Sequence, residues 1–435
     1  MSPPKRFPTR VIIIGAGVFG LSTALALEKR YPPTKVTVID RLVPPVADGE
    51  SVDTTRCIRA DYDDPIYARL ARIAQEKIEK DADLRQHLYK QGMTFVNDGE
   101  PTADTDIWKA QLALTKSWAS PEQIVELPTR QAIYQRIHGE NAQPPPVSGL
   151  EGGSKWNKAY SNLADGFIDA RQGIQVYYDR CVKASSIEFR CGSAIERIKV
   201  EDGRARGVVL ENGDVIEADM VVVAAGAWSN KLVYLGNRAN PFAIEVAWFK
   251  VTPEEEARWK HMAITTNYRT GLNVFPPYRG EIKVLRRSDG YKNTMTVLHP
   301  EDRTKTIDIS YPRTLVSHPT DMIPADAETS MRRDLKEIMP PLADRPFERT
   351  RLCWISRAPT HDFLVAPHPR TSGIHLATGG SAHGWKFLPI IGDFIVDSME
   401  GTLAPELKHK WAFYRDSDAP STEPRELRDV VRHRL

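Results

Sequence analysis

Three segments carry the residues with chemistry to offer. Near the start, Gly15-Ala16-Gly17-Val18-Phe19-Gly20 spaces its glycines as a turn that can cradle a pyrophosphate. In the last third, Arg351-Leu352-Cys353-Trp354 sets one thiol beside an arginine, and Gly379-Gly380-Ser381-Ala382-His383-Gly384-Trp385-Lys386 joins a glycine-rich bend to a histidine and a lysine. Together they suggest a flavin held by both ends of the sequence and tethered through one cysteine. A thiol reacts as thiolate, so positive charge from Arg351 and Arg357 would favour attachment, whereas a cysteine taken alone reads as a small buried hydrophobe.

The elements that must position these groups come next. Val11-Ile12-Ile13-Ile14 is the β-branched run of a strand buried on both faces of a parallel sheet, and residues 21–30 read as a helix. Between them Gly15 permits the bend, Gly17 lets backbone approach phosphate, and Gly20 lets helix and strand pack closely. A second strand, Lys35-Val36-Thr37-Val38-Ile39, ends at Asp40, twenty residues after Gly20, where an acid can accept from both ribose hydroxyls. Strand, turn, helix, strand and acid in register predict a dinucleotide site, without choosing between nicotinamide and flavin. Downstream, strands over 194–200 and 205–210 flank the turn Glu201-Asp202-Gly203, and Glu211-Asn212-Gly213-Asp214 turns the chain into Val215-Ile216-Glu217-Ala218. Met220-Val221-Val222-Val223 then returns as a buried strand into Ala224-Ala225-Gly226-Ala227-Trp228, small residues where a chain passes close to a flat or phosphorylated group.

Residues 65–91 have helical periodicity, and Gln143-Pro144-Pro145-Pro146 marks a loop. Residues 242–252, 264–275 and 281–287 are strand-like, separated by Pro276-Pro277 and Ser288-Asp289-Gly290, which predicts an antiparallel sheet roofing a substrate. Residues 325–339 read as helix, and 415–435 as a charged, loosely packed tail.

A chain of 435 residues is long for one core, so two interleaved or sequential domains are expected. Lys and Arg (59) nearly cancel Asp and Glu (57), which leaves no case for nucleic acid or an acidic membrane as partner. Cys57, Cys181, Cys191 and Cys353 show neither metal-ligand spacing nor a disulfide framework, so no metal is expected. The apolar run 11–14 is too brief for a secretory or spanning segment. Arg432-His433-Arg434-Leu435 is similar to a peroxisomal tail, with His433 where a small residue belongs; a plain charged terminus is the alternative, so cytoplasm or peroxisome is expected.

From residue 11 to near 401 the chain resembles the monomeric sarcosine oxidase-like flavoproteins, including pipecolate and saccharopine oxidases and, more distantly, the fungal fructosyl amino acid oxidases. The segments that carry the likeness are the glycine turn, Ser51-Val52-Asp53-Thr54-Thr55-Arg56-Cys57-Ile58-Arg59, Gly226-Ala227-Trp228, Gly280-Glu281-Ile282-Lys283, and those around Cys353 and His383. The resemblance implies an α/β fold, in which a glutathione-reductase-like, FAD-binding Rossmann domain (8–60, 155–235, 350–402) interleaves with a DAO-type antiparallel-sheet substrate domain (61–154, 236–349).

It also implies roles. FAD would be bound covalently, through a thioether from Cys353 to its 8-methyl carbon, in a cradle of Gly15, Gly17, Val18, Phe19, Gly20, Asp40, Arg41, Ser51, Thr55, Arg56, Ile195, Gly226, Trp228, Trp354, His383, Gly384, Trp385 and Lys386. Arg56 would shape the flavin potential, and His383 and Gly384 would offer backbone donors at its pyrimidine end. Lys283 would assist dioxygen, since a fixed cation stabilises the anion formed on electron transfer. Arg59, with its planar fork, and Lys386, as a point charge, would clamp a substrate carboxylate. The implied reaction is oxidation of a neutral secondary amine to an imine, with dioxygen reduced to hydrogen peroxide, by a monomer acting on an amino acid or related amine. Ile355, Arg287 and Ala382 depart from the sarcosine oxidase pattern, at positions of a tyrosine, a histidine and a glycine, and Ala358-Pro359-Thr360 lacks the usual acid; these changes would adapt the pocket to a larger amine, acidic or biosynthetic. Two alternatives stay open: a fructosyl amino acid oxidase, and a flavin-binding protein without amine oxidation.

Overall fold

The computed structural model describes residues 7–150, 152–415 and 427–430. Its first layer is a six-stranded sheet in the order Leu364–Pro367, Ile374–Thr378, Met220–Val223, Arg10–Ile14, Lys35–Asp40, Ile187–Cys191, parallel except for the antiparallel edge strand Leu364–Pro367. Ile12 pairs with Val221 on one side and Thr37 on the other. Side chains alternate across the sheet. Ile13, Val38 and Val222 pack under the helices Val18–Arg30, Ala170–Lys183 and Ile391–Glu400, while Ile12, Ile14 and Val221 pack against Ile198 and Val208 of a small three-stranded sheet. Burial on both faces explains the unbroken apolar run at 11–14. Gly20 is obligatory here, because a Cβ on it would lie 1.8 Å from the Gly15 carbonyl oxygen.

The second layer is a nine-stranded sheet whose longest strands are Asn240–Lys250 and Glu281–Lys292. Arg349–Arg357 flanks them, with Cys353 opposite Ile244, and Trp248 faces Lys283 across the ladder. One face packs on the helices Arg130–His138 and Ala325–Ile338. The other presents Phe242, Ile244, Leu285, Cys353 and Ile355 towards the first layer. Lys158–Asn162 and Arg349–Arg357 join this sheet, although all their positions but Arg349 fall within ranges expected of the cofactor domain.

Three local expectations are corrected. Ser288-Asp289-Gly290 does not end its strand; the ladder continues to Lys292, with Gly290 at φ 98°, where a Cβ would meet Phe242 at 2.5 Å, and a register shift opposite between Ala243 and Glu245. The periodicity over 65–91 breaks at Asp81, whose carboxylate caps a short second helix by accepting from the Asp83 and Leu84 amides, and Leu88–Tyr89 is already strand. The tail expected to be loose is anchored where it is described: Arg428–Asp429 pairs with Tyr291 and Lys292, and Val430 is fully buried. The tail motif at 432–435 lies outside the described residues. Among the described residues no helix is long and apolar enough to cross a membrane.

Candidate active site

A cavity of about 1010 Å³ runs between the two layers, from Gly15, Gly17 and Asp40 at one end to Cys353, His383 and Lys386 at the other. That volume is at the upper end for small-molecule sites and suits a dinucleotide with a substrate beside it.

The glycine-turn end is locked by side chains from elsewhere. The Ala16 amide donates to Asp40 Oδ2 (2.8 Å), and the Val18 amide to Ser51 Oγ (2.9 Å). Burial raises the Asp40 carboxyl above its usual range, opposed by the Ala16 and Leu42 amides. A Cβ on Gly17 would sit 2.7 Å from Ser51 Oγ, so the loop must pass this close as bare backbone. The amides of Gly17 and Phe19 find no acceptor among the described residues, and both residues line the cavity where the helix begins. Arg41 stacks on Trp228, 4.4 Å from the ring centroid, and Ile195 and Gly226 complete this end. Thr55 Oγ1, on the cavity wall, is buried with no hydrogen-bond partner among the described residues. Unused amides on a dipole-positive helix start, with an unpaired hydroxyl further along, fit an FAD-sized dinucleotide.

Cys353 is buried halfway along, 3.5 Å from a guanidinium nitrogen of Arg56. This corrects the expected source of positive charge. Arg351 turns instead to Asp53 (3.2 Å) and the Val52 carbonyl, and Arg357 stacks on Phe242. Asp53 is the hub: its Oδ2 also receives Arg56 (2.7 Å) and Lys283 (3.0 Å). Burial alone would push this carboxyl up, but Lys283, Arg351 and Arg56 together hold it well below the carboxylate range. Lys283 does not line the cavity. Its ammonium lies behind the wall residues Thr55, whose carbonyl accepts from it at 2.6 Å, and Phe275, 4.2 Å from the ring centroid; burial lowers its pKa to about 8 against the pull of Asp53. Trp354 also leaves the cavity wall, because strand alternation sends it opposite to Cys353 and Ile355, and its indole donates to the Arg313 carbonyl.

The far end gathers Arg59, Tyr62, Arg287, Ile355, Ala382 and Lys386. Lys386 donates to Tyr62 Oη (2.8 Å) and to the His383 carbonyl (2.9 Å), and Arg59 lies over the Tyr62 ring at 4.6 Å. Burial, then Arg59, push the Lys386 ammonium well below its ordinary value. The His383 ring is held between Tyr62 Oη (3.0 Å) and the His361 carbonyl (2.9 Å). A carbonyl can only accept, which assigns the ring proton to Nε2 and leaves Nδ1 to accept from Tyr62. The expected backbone donors are spent, since the amides of His383 and Gly384 both donate to the Gly380 carbonyl. Ala382 is in the left-handed region (φ 64°), a conformation natural to the glycine the resemblance calls for. Trp385 ties this bend to the cofactor loop, donating to the Ser51 carbonyl at 2.9 Å.

Behind Arg59 lies a buried network that the sequence did not reveal. Arg59 donates to the Asp61 carbonyl, while the Asp61 carboxylate accepts from Thr115, Tyr160 and Asn162. Tyr268 and Tyr160 meet at Gln111. Asp165 is fully buried against Asp61, and its carboxyl is raised well above the usual range by burial and by the Asp61 charge. Glu50, pushed up to about 7 by burial, accepts from the Ser356 amide beside Gly226. Asp53 lies inside the resemblance segment that starts at Ser51, and Glu50 immediately precedes it, a proximity that is the one available signal for them.

Comparison with known proteins agrees with this geometry. The profile of the family FAD dependent oxidoreductase (DAO) matches residues 10–398. The chain is 27% identical to L-saccharopine oxidase of Schizosaccharomyces pombe over 97% of this chain and 96% of that one. It is 24% identical to a monomeric sarcosine oxidase of Bacillus sp. strain NS-129, over 88% and 90%. Among solved structures it is similar to a modified fructosyl peptide oxidase from Aspergillus nidulans, with a TM-score of 0.86 and 25% identity over 98% of this chain and 99% of that one.

Proposed function

The chain belongs to the FAD dependent oxidoreductase family and is an FAD-dependent amine or amino-acid oxidase; we propose that it acts on secondary, N-substituted amino acids gripped by their carboxylate. The observation that carries this is the meeting of Arg59 and Lys386 across Tyr62, with neither paired to a carboxylate among the described residues. Two basic groups left without an anion on a cavity wall are a receptor for one.

Bound FAD would supply a two-electron acceptor for the hydride equivalent leaving the carbon beside the amine, with dioxygen as the final acceptor and peroxide as the product. The residues of this chain arrange that event. Arg59 fixes the plane of the carboxylate and Lys386 its second oxygen, which aims the α-carbon. Tyr62 keeps its proton, because burial raises the phenol far above its usual value, and holds Lys386 against His383. His383 stays neutral, its pKa driven well down by burial and Lys386, so no strong base touches the amine and the substrate must enter unprotonated. Water then hydrolyses the imine.

Arg56 sets a guanidinium nitrogen 3.5 Å from Cys353 Sγ, a contact that supports Cys353 as the tether for the flavin 8-methyl carbon; forming that thioether would release one S–H and one C–H hydrogen, which dioxygen would take up as peroxide. Lys283 supplies positive charge to dioxygen reduction through the Thr55 wall. The same reading has a cofactor half and a substrate half in one monomer, resident in cytoplasm or peroxisome, with only the amine and dioxygen as partners. A second reading, oxidation of a fructosyl amino acid, is supported by the likeness to fructosyl peptide oxidases. Peroxide release from a panel of N-alkyl and fructosyl amino acids and their carboxamides separates the two. Turnover of N-alkyl acids and none of their amides supports the first reading, and turnover of fructosyl acids alone replaces it with the second.

A further inference from the structure

Most cations around the cavity already have an anion. Arg41 pairs with Asp48 (2.8 Å), Arg269 with Asp98 (3.4 Å), Arg286 with Glu245 (3.2 Å) and Lys410 with Asp64 (2.6 Å). Arg59, Lys386 and Arg287 differ: none forms an ion pair with a carboxylate among the described residues, and Arg287 has no side-chain hydrogen bond there either. The acid nearest in sequence to Arg59, Asp61, spends its carboxylate on Thr115, Tyr160 and Asn162.

Arg287 is no stray surface residue. It enters from the nine-stranded sheet, facing Arg59 and Lys386, which come from the first layer's side, and it keeps accessible surface because it lines the cavity. Burial, followed by repulsion from Arg59, lowers its pKa, and its charge also acts on Lys386, Tyr62 and Tyr268. Three basic groups line one end of the cavity, and a single carboxylate leaves one of them uncompensated.

We infer that the cavity is a two-carboxylate receptor: Arg59 and Lys386 hold the carboxylate beside the reacting carbon, and Arg287 holds a second carboxylate, so the substrate is a dicarboxylic secondary amine. This deepens the amine-oxidase reading and rests on it. A planar guanidinium on a sheet strand selects a carboxylate over its amide through paired, charge-assisted hydrogen bonds.

The test compares N-(2-carboxyethyl)glycine and N-methylglutamate with the same amines carrying a carboxamide in place of the second carboxylate. Their kcat/KM values are measured for the holoenzyme and for Arg287→Gln and Arg287→Lys. Binding of thiodiacetate, a dicarboxylate that cannot be oxidised as an amine, and of its monoamide is followed by calorimetry. The receptor predicts an acid-to-amide preference of about 10- to 100-fold for at least one amine pair and for the thioether, collapsing towards one in Arg287→Gln and partly kept in Arg287→Lys. Oxidation of the amines with no acid-to-amide preference, or a preference that survives Arg287→Gln, overturns the receptor and leaves the amine-oxidase reading standing. Arg287-dependent thiodiacetate binding without oxidation of any secondary amine upholds the receptor and removes that reading.

Discussion

The ammonium of Lys283 and the carboxylate of Asp53 lie 3.0 Å apart, sealed from solvent, although 230 positions separate them in sequence. Arg56 and Arg351 share the same oxygen of Asp53, so one anion holds three cations at the wall where the flavin and Cys353 are expected to meet. Asp53→Asn leaves those cations buried and under-compensated, a change worth about 3–5 kcal/mol of stability. Urea unfolding measures it. Because Asp53 titrates well below its ordinary value of 3.8 in the fold, its contribution is complete above about pH 4 and fades as pH falls further, so the deficit of the variant shrinks in acid.

Lys283 gives the pH dependence of the oxygen half-reaction. Burial brings its pKa to about 8, so the ammonium is present below that value and lost above it. Stopped-flow reoxidation of reduced enzyme is expected to slow as pH rises through about 8. Lys283→Met should be slower by about 10²- to 10³-fold at neutral pH, with that inflection gone. An unchanged inflection in Lys283→Met assigns the titration to another group.

The cofactor half of the fold was legible because its signals are local. Gly15, Gly17, Gly20 and Asp40 follow one another within a single strand–turn–helix–strand unit, and each lies where that unit requires. Strand alternation is equally local, and applied to Cys353 it would have turned Trp354 away. The hub at Asp53 and the acids Asp61 and Asp165 were not legible, since their chemistry arises from contacts with Lys283, Arg351 and Tyr160 that only the folded chain creates. Ser288-Asp289-Gly290 misled for a related reason. A turn-like tripeptide becomes a bulge when a long partner strand such as Asn240–Lys250 continues beside it.

Asp61 and Asp165 should answer the same substitution oppositely. Asp61→Asn turns an acceptor of three hydrogen bonds into a poorer one and destabilises by about 2–3 kcal/mol. Asp165 has a raised pKa in the fold, so the native state binds more protons than the unfolded chain above about pH 4, and stability falls as pH rises from there. Asp165→Asn removes that slope. Its melting temperature relative to the parent should therefore climb between pH 5 and pH 8, and a flat difference would refute the protonated state of Asp165.

Tethering makes a separate prediction. Acid-precipitated protein should be yellow, Cys353→Ala precipitate colourless with the flavin in the supernatant, and Arg56→Met apoprotein slow to retain added FAD after acid treatment. A colourless precipitate from the parent protein would exclude Cys353 as a tether without touching the binding of FAD.

Anaerobic titration of the holoenzyme tests the central claim most directly, because it isolates the step in which the amine gives up its electrons. The account predicts full bleaching of the flavin absorbance by a carboxylate-bearing secondary amine, little bleaching by its carboxamide, and loss of the difference in Arg59→Met. An oxidised spectrum that persists through the whole series of such amines, from N-methylglycine to the dicarboxylates, would contradict it.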